Sequence, residues 1–188
     1  MTEKRIKEIF EESIQVKRSA LAENSRAIFL AAQVILQALR KGGKILFFGN
    51  GGSAADSQHI AAEFIGRFKK ERRSLPAIAL TTDSSILTAV GNDYGFEKIF
   101  SRQLEGLAHK HDVAFGISTS GNSKNVLEAI QTAKKLGLKT IGLSGSGGGR
   151  LGKMVDVSIA VSSTITARVQ ESHILIAHVI CELVEDNF

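Results

Sequence analysis

Two glycine- and serine-rich loops set the terms for what this chain can fold into. Gly49-Asn50-Gly51-Gly52-Ser53 follows the apolar run Lys44–Phe48, and Ser118-Thr119-Ser120-Gly121-Asn122-Ser123 follows Val113–Ile117. Each loop then runs into a helical pattern. A strand that turns through glycine into a helix N-terminus leaves backbone N–H groups without intrahelical partners. Those donors, with the positive end of the helix dipole, favour an anion. The hydroxyls of Ser118, Thr119, Ser120 and Ser123 add hydrogen-bonding capacity with little bulk. Two such loops in one small domain point to a phosphorylated small molecule held between them.

Around the loops, strand and helix patterns alternate. Short apolar runs at Lys44–Phe48, Ala77–Leu80, Val113–Ile117, Lys139–Leu143 and Val157–Val161 read as strands covered on both faces. Helical patterns at Ala54–Phe68, Ser84–Val90, Phe96–Ala108, Asn122–Leu136 and Thr166–Val184 separate or follow them. This is an α/β fold with a five-stranded parallel sheet. The order 2-1-3-4-5, flavodoxin-like, sets the two loops on either side of the switch point, where open α/β sheets bind ligands. Ahead of the sheet, residues 4–21 predict one amphipathic helix. Asn24-Ser25 reads as the N-cap of a second, Arg26 to Lys41, which Gly42-Gly43 ends. The expectation is one domain over 1–188, including a helical segment of about 1–41. Gly147-Gly148-Gly149-Arg150-Leu151-Gly152 satisfies G-x-G-x-x-G, but the 36 residues after it are too few for a dinucleotide-binding half-domain. It reads as a flexible turn.

Composition narrows the class. At 43% hydrophobic, the 188-residue chain can bury a real core. It has no apolar run long enough for a bilayer, no signal-peptide pattern, and one cysteine, Cys181, in an apolar helical stretch. A cytoplasmic protein is expected. The net charge of +5 raises the question of nucleic acid, and Lys69, Lys70, Arg72 and Arg73 form its densest cluster. With one Tyr and no Trp for stacking, a solvated basic loop is the better reading. The last helical pattern is apolar over most of its circumference, and the N-terminal helices carry more apolar surface than two lone helices need. Both features point to association between subunits.

Four side chains stand out as chemistry-bearing. His59 and Glu63, spaced i, i+4, share one helix face. Gln170 and His178 lie eight apart on the last helix, about 80° from one another around its axis. Together they suit zinc or a similar divalent ion, although a His and a Glu one turn apart are also common on solvated faces. His173 competes with His178 for the role. Asn92-Asp93 reads as a turn that would offer an amide and a carboxylate to substrate hydroxyls. Arg67 complements its helix dipole or reaches a phosphate.

The segments KILFFGNGGSAADSQHIAAEFIGRF, PAIALTTDSSILTAVGNDYGF, GISTSGNS and RVQESHILIAHVICELVE resemble the sugar-isomerase (SIS) fold and, within it, the phosphoheptose isomerases. The resemblance covers almost the whole chain. It implies conversion of sedoheptulose 7-phosphate to D-glycero-D-manno-heptose 7-phosphate, the first step toward activated heptose for lipopolysaccharide core or another surface polysaccharide. It implies one zinc per subunit on His59, Glu63, Gln170 and His178, with Glu63 and His178 as the acid/base pair. Substrate contacts would come from Asn50, Gly51, Gly52, Ser53, Arg67, Asn92, Asp93, Ser118, Thr119, Ser120, Ser123 and Gln170. The family is typically a homotetramer with its N-terminal helices in a central bundle. An alternative is a non-catalytic SIS relative that binds the bacterial replication initiator. That relative lacks the Glu and the final His found here at Glu63 and His178. A SIS sensor domain usually accompanies a DNA-binding domain, for which no spare segment is evident.

Overall fold

Parallel strands joined by helices must be covered on both faces, and this chain covers its five with helices on each side. The computed structural model describes residues 2–188. In order, the elements are α1 (Glu3–Arg40), β1 (Ile45–Gly49), α2 (Gly52–Ile65), β2 (Ala77–Ala79) and α3 (Ser84–Tyr94). A 3₁₀ turn (Phe96–Lys98), α4 (Ser101–Leu107), β3 (Val113–Ser118) and α5 (Lys124–Lys135) follow. The chain continues through β4 (Lys139–Ser144), α6 (Gly149–Met154), β5 (Val157–Ala160) and α7 (Thr166–Glu185). All pairings are parallel, in the order β2-β1-β3-β4-β5. The expected order and strand positions therefore hold, with ends differing by a residue or two.

The two-residue period of the strands divides the core. Ile45 and Phe47 of β1, with Phe115, Ile141 and Ile159, face α1, α2 and α7. Leu46, Phe48 and Ala114 face the other way, onto Phe100 at the start of α4, Leu104 within it, and Val126 and Ile130 of α5. Among the described residues no helix is long and apolar enough to cross a membrane.

Three expectations need correction. The N-terminal segment is one 38-residue helix, not two. Asn24 does not cap a second helix. It is buried, and its amide donates to the carbonyls of Ala20 (3.1 Å) and Ala160 (3.0 Å) while accepting from Ala160 N–H (3.0 Å). A side chain used to reach β5 does not compete with its own helix, so α1 runs on through it. Second, Asn92-Asp93 is not a turn. α3 continues to Tyr94 and ends at Gly95, whose φ of +88° separates it from the 3₁₀ turn; the predicted helix Phe96–Ala108 is itself divided at Ile99–Phe100 into that turn and α4. Third, the triple glycine is a packed joint. A Cβ on Gly121 (φ +63°) would stand 2.3 Å from the Gly148 carbonyl oxygen, and one on Gly149 would stand 2.7 Å from that of Gly121. Leu151 N–H donates to Gly121 O at 2.9 Å and Arg150 N–H to Asn122 Oδ1 at 3.1 Å. The turn thus braces the second serine loop.

Replacing Asn24 by Ala leaves both polar groups of Ala160 without their partner in a buried place. The expected loss is about 1–3 kcal/mol of unfolding free energy, read as a lower urea midpoint at unchanged slope. An unaltered midpoint would show that water replaces the amide.

Candidate functional site

Helix α2 starts directly from the first glycine loop, and α7 crosses beside it after the last strand. Their facing sides bring together three of the four candidate ligands. His59 Nε2 lies 3.0 Å from His178 Nε2 and 3.2 Å from Glu63 Oε1. One ligand atom from each of the three lies within 4.8 Å of the others. Two ligands bound tetrahedrally to zinc stand about 3.3 Å apart, so these spacings approximate the edges of such a shell. Burial, then the neighbouring His59, hold His178 below the ordinary imidazole value against the opposite pull of Glu63. A neutral imidazole is the ligating form. The donor set, two imidazole nitrogens and a carboxylate converging on one point, fits a divalent cation.

Gln170 reaches the first loop. A Cβ on Gly52 would stand 2.2 Å from its Nε2, so a side chain there would push the Gln170 amide aside. His173, the competing histidine, points into the core instead. It is fully buried, and its Nε2 donates to the Ser144 carbonyl at 3.0 Å. That bond fixes the proton on Nε2 and leaves Nδ1 buried without a partner. Burial pulls the ring's pKa down to about 4, partly offset by the Ser144 bond, so His173 is a neutral core residue.

The second loop gathers its hydroxyls. Ser118 Oγ lies 2.9 Å from Ser123 Oγ and 3.4 Å from Ser120 Oγ. Ser123 occupies the N-cap position of α5 but makes no capping bond with its side chain. Its hydroxyl faces the cluster, while in the first turn of α5 the Val126 N–H is taken by Asn125 Oδ1 at 2.9 Å. The two loops are tied across the switch point by Asn50 and Asn125, whose amides exchange two hydrogen bonds of 2.8 Å. Two clefts open at the loops. One of about 340 Å³ is lined by Asn50, Phe96, Glu97, Ser123, Lys124 and Asn125. The other, about 270 Å³, is rich in hydroxyls and includes Thr119, Ser120, Ser146 and Thr166.

Other sequence candidates sit less centrally. Ser53 is buried under its own loop. Asn92 and Asp93 are exposed on the last turn of α3 and bond each other at 2.8 Å. Arg67 lies beyond the end of α2, exposed, 3.7 Å from Glu71. Cys181 is buried, and burial lifts its thiol to about 12, so it is no nucleophile.

The basic cluster is not simply a solvated loop. Lys69 and Lys70 are exposed and pair with Glu182 and Asp186, but Arg72 is buried and pairs with Glu185 of α7 at 3.0 Å. A charge run gave no hint that one member turns inward. Asn125 was also missed: nothing local marks a buried asparagine, and only its position opposite Asn50 reveals its part.

A family model described as "SIS domain" matches residues 9–145. The chain is 60% identical over 161 residues to a phosphoheptose isomerase of Nitratiruptor sp., covering 86% of each. To that of Aquifex aeolicus it is 55% identical over 182 residues, covering 97% of this chain and 95% of the relative. Among solved structures, a phosphoheptose isomerase from Neisseria gonorrhoeae superposes with a TM-score of 0.92 at 46% identity, covering 97% of this chain and 98% of that one.

The buried neutral His173 makes stability pH-dependent. Its folded pKa lies below the unfolded value of 6.5, so the unfolded state binds the proton first. The stability it permits is complete above pH 6.5 and is lost as pH falls toward 4, by at most about 3 kcal/mol. Urea unfolding of His173→Gln is expected to change less between pH 7 and pH 4 than that of the unaltered chain. Equal slopes would show that the ring is not the titrating group.

Proposed function

The chain belongs to the phosphoheptose isomerases of the SIS-domain family, and from that membership we propose that it converts sedoheptulose 7-phosphate to D-glycero-D-manno-heptose 7-phosphate. The observation that carries the site assignment is the convergence of His59, Glu63 and His178 on one point. The product would enter the making of activated heptose for lipopolysaccharide core or another surface polysaccharide, in the cytoplasm.

Aldose–ketose interconversion moves a proton between C1 and C2 through an enediol. One group must take a carbon-bound proton while another gives or receives a proton at the neighbouring oxygen. Glu63 is the shuttle between the carbons: with Oε1 toward His59, its second oxygen is left for the substrate. His178 is its partner at the oxygen. Ser118, Ser120 and Ser123, with the first N–H groups of α5, hold the phosphate and set which carbons reach Glu63; Thr119 lies beside them. Asn50, Gly51, Gly52 and Ser53 form the opposing wall, with Arg67, Asn92 and Asp93 as outer contacts. His59, Glu63, Gln170 and His178 would hold zinc, one ion per subunit, which supplies positive charge beside the developing enediolate. The chain 1–188 is read as one SIS unit.

Self-association as a homotetramer is supported by apolar side chains left open along α1. Phe10, Leu21 and Phe29 are each more than half exposed. Leu21 and Phe29 also line an apolar groove between α1 and α7 with Leu175 and Val179. In sedimentation velocity a four-chain species is expected, and Phe29→Glu is expected to yield smaller ones. A monomeric unaltered chain would remove this part of the reading.

NMR-monitored turnover of sedoheptulose 7-phosphate by metal-stripped protein, before and after zinc, tests the reaction itself. Aldoheptose 7-phosphate is expected only with zinc. Turnover without it would keep the isomerase and demote the metal. Glu63→Gln is expected to lower turnover by about 10²–10⁴-fold, and near-normal activity would refute its role as the shuttle.

A further inference from the structure

Among the described residues, Arg72 and Glu185 form the one ion pair with both side chains buried, at 3% and 2% exposure. Removing two charges from water is costly, so such a pair persists only where further hydrogen bonds complete it. Here those of Arg72 reach the last turn of α2 and the loop beyond it, and those of Glu185 reach the same loop from α7. Arg72 Nη2 donates to the carbonyl of Glu63 at 2.9 Å, and Nη1 to those of Phe64 (3.0 Å), Gly66 (3.3 Å) and Arg73 (3.1 Å). Carbonyls in the last turn of α2 have no onward helical partner, and the guanidinium closes that end from a residue far beyond it. Glu185 accepts from the N–H groups of Phe68 (2.9 Å), Lys69 (2.7 Å) and Lys70 (2.9 Å). The Phe68 ring, held by the first of these, lies with its centroid 5.2 Å from that of His178. His178 precedes Glu185 by seven residues, two turns of α7, and so shares its stripe.

We propose that Arg72 and Glu185 are positioning residues for the metal centre. The pair fastens the backbone of Glu63, the aromatic wall beside His178 and the end of α7 into one unit, and so sets the separation of the two ligands. This rests on the metal-binding reading above. A purely structural role would anchor the loop between α2 and β2 without touching the ligand geometry.

The two roles separate in a variant that removes both charges. Arg72→Met with Glu185→Leu leaves no unpaired buried ion, which makes thermal stability recoverable. Cobalt(II) titration of the metal-stripped full-length chain then reads the centre directly, through its affinity and visible ligand-field bands, with the melting temperature of the metal-free protein as the fold control. The expected result is a folded double variant whose cobalt affinity falls about 10–100-fold, as for other residues that orient ligands, with altered band intensity. A folded double variant with unchanged affinity and spectrum would overturn the proposal. If the double variant does not fold, Arg72→Lys decides. Lysine keeps the charge but loses the planar fork that spans several carbonyls, and unchanged cobalt binding there would equally overturn it. An unaltered chain that takes up no cobalt would instead remove the metal reading, and this proposal with it.

Discussion

The packing of α7 against α1 and α2 over one face of the sheet is the contact on which the rest depends. Val169, Ile176, Ala177, Ile180 and Val184 of α7 enter the same apolar cluster as Ile28 and Ile35 of α1 and Ile60 and Phe64 of α2. Fully burying a large aliphatic side chain contributes about 1.5–3 kcal/mol, so this face is held firmly. The polar residues of α7 inherit that precision. Gln170 meets Gly52, His178 meets His59, and Glu185 meets Arg72 because the apolar stripe between them admits one register.

The sheet supplies the second fixed frame. β1 and β3 are neighbours whose outgoing loops open at the same edge. Asn50 and Asn125 join them with two amide–amide hydrogen bonds in a half-dry place. The Gly121–Gly149 contact braces the serine loop from the other side. The loop's hydroxyls are therefore arranged before any anion arrives, which lowers the cost of ordering them on binding. On the proposed reading, a loop fixed in this way lets the substrate's phosphate determine which carbon faces Glu63.

Much of this was legible in the chain. The strand runs were apolar on both faces, so a parallel sheet followed; its order came with the resemblance to the SIS fold, and both glycine loops leave strand ends at one edge. The i, i+4 spacing of His59 and Glu63 put them on one face without any fold. Where the reading failed, a side chain had a long-range partner that local rules do not include. Asn24 looked like a cap because asparagine favours caps, but β5 claimed its amide. Arg72 looked solvated among lysines, but the carboxylate of Glu185 and four carbonyls drew it inside. His173 looked as eligible as His178 because both lie on the same helix, and only the direction of the sheet separated them.

The sequence by itself determined the period of each element, the two glycine- and serine-rich loops and the helix face that His59 and Glu63 share. These depend on backbone sterics and on spacing along a single helix, which neighbours in the chain fix. The tertiary structure alone decided which histidine faces Glu63, where the Gln170 amide meets the first loop, and how a buried Arg72 closes the helix that carries Glu63. Those depend on the register of α7 across α2, which is set by the collective packing of residues more than a hundred positions apart.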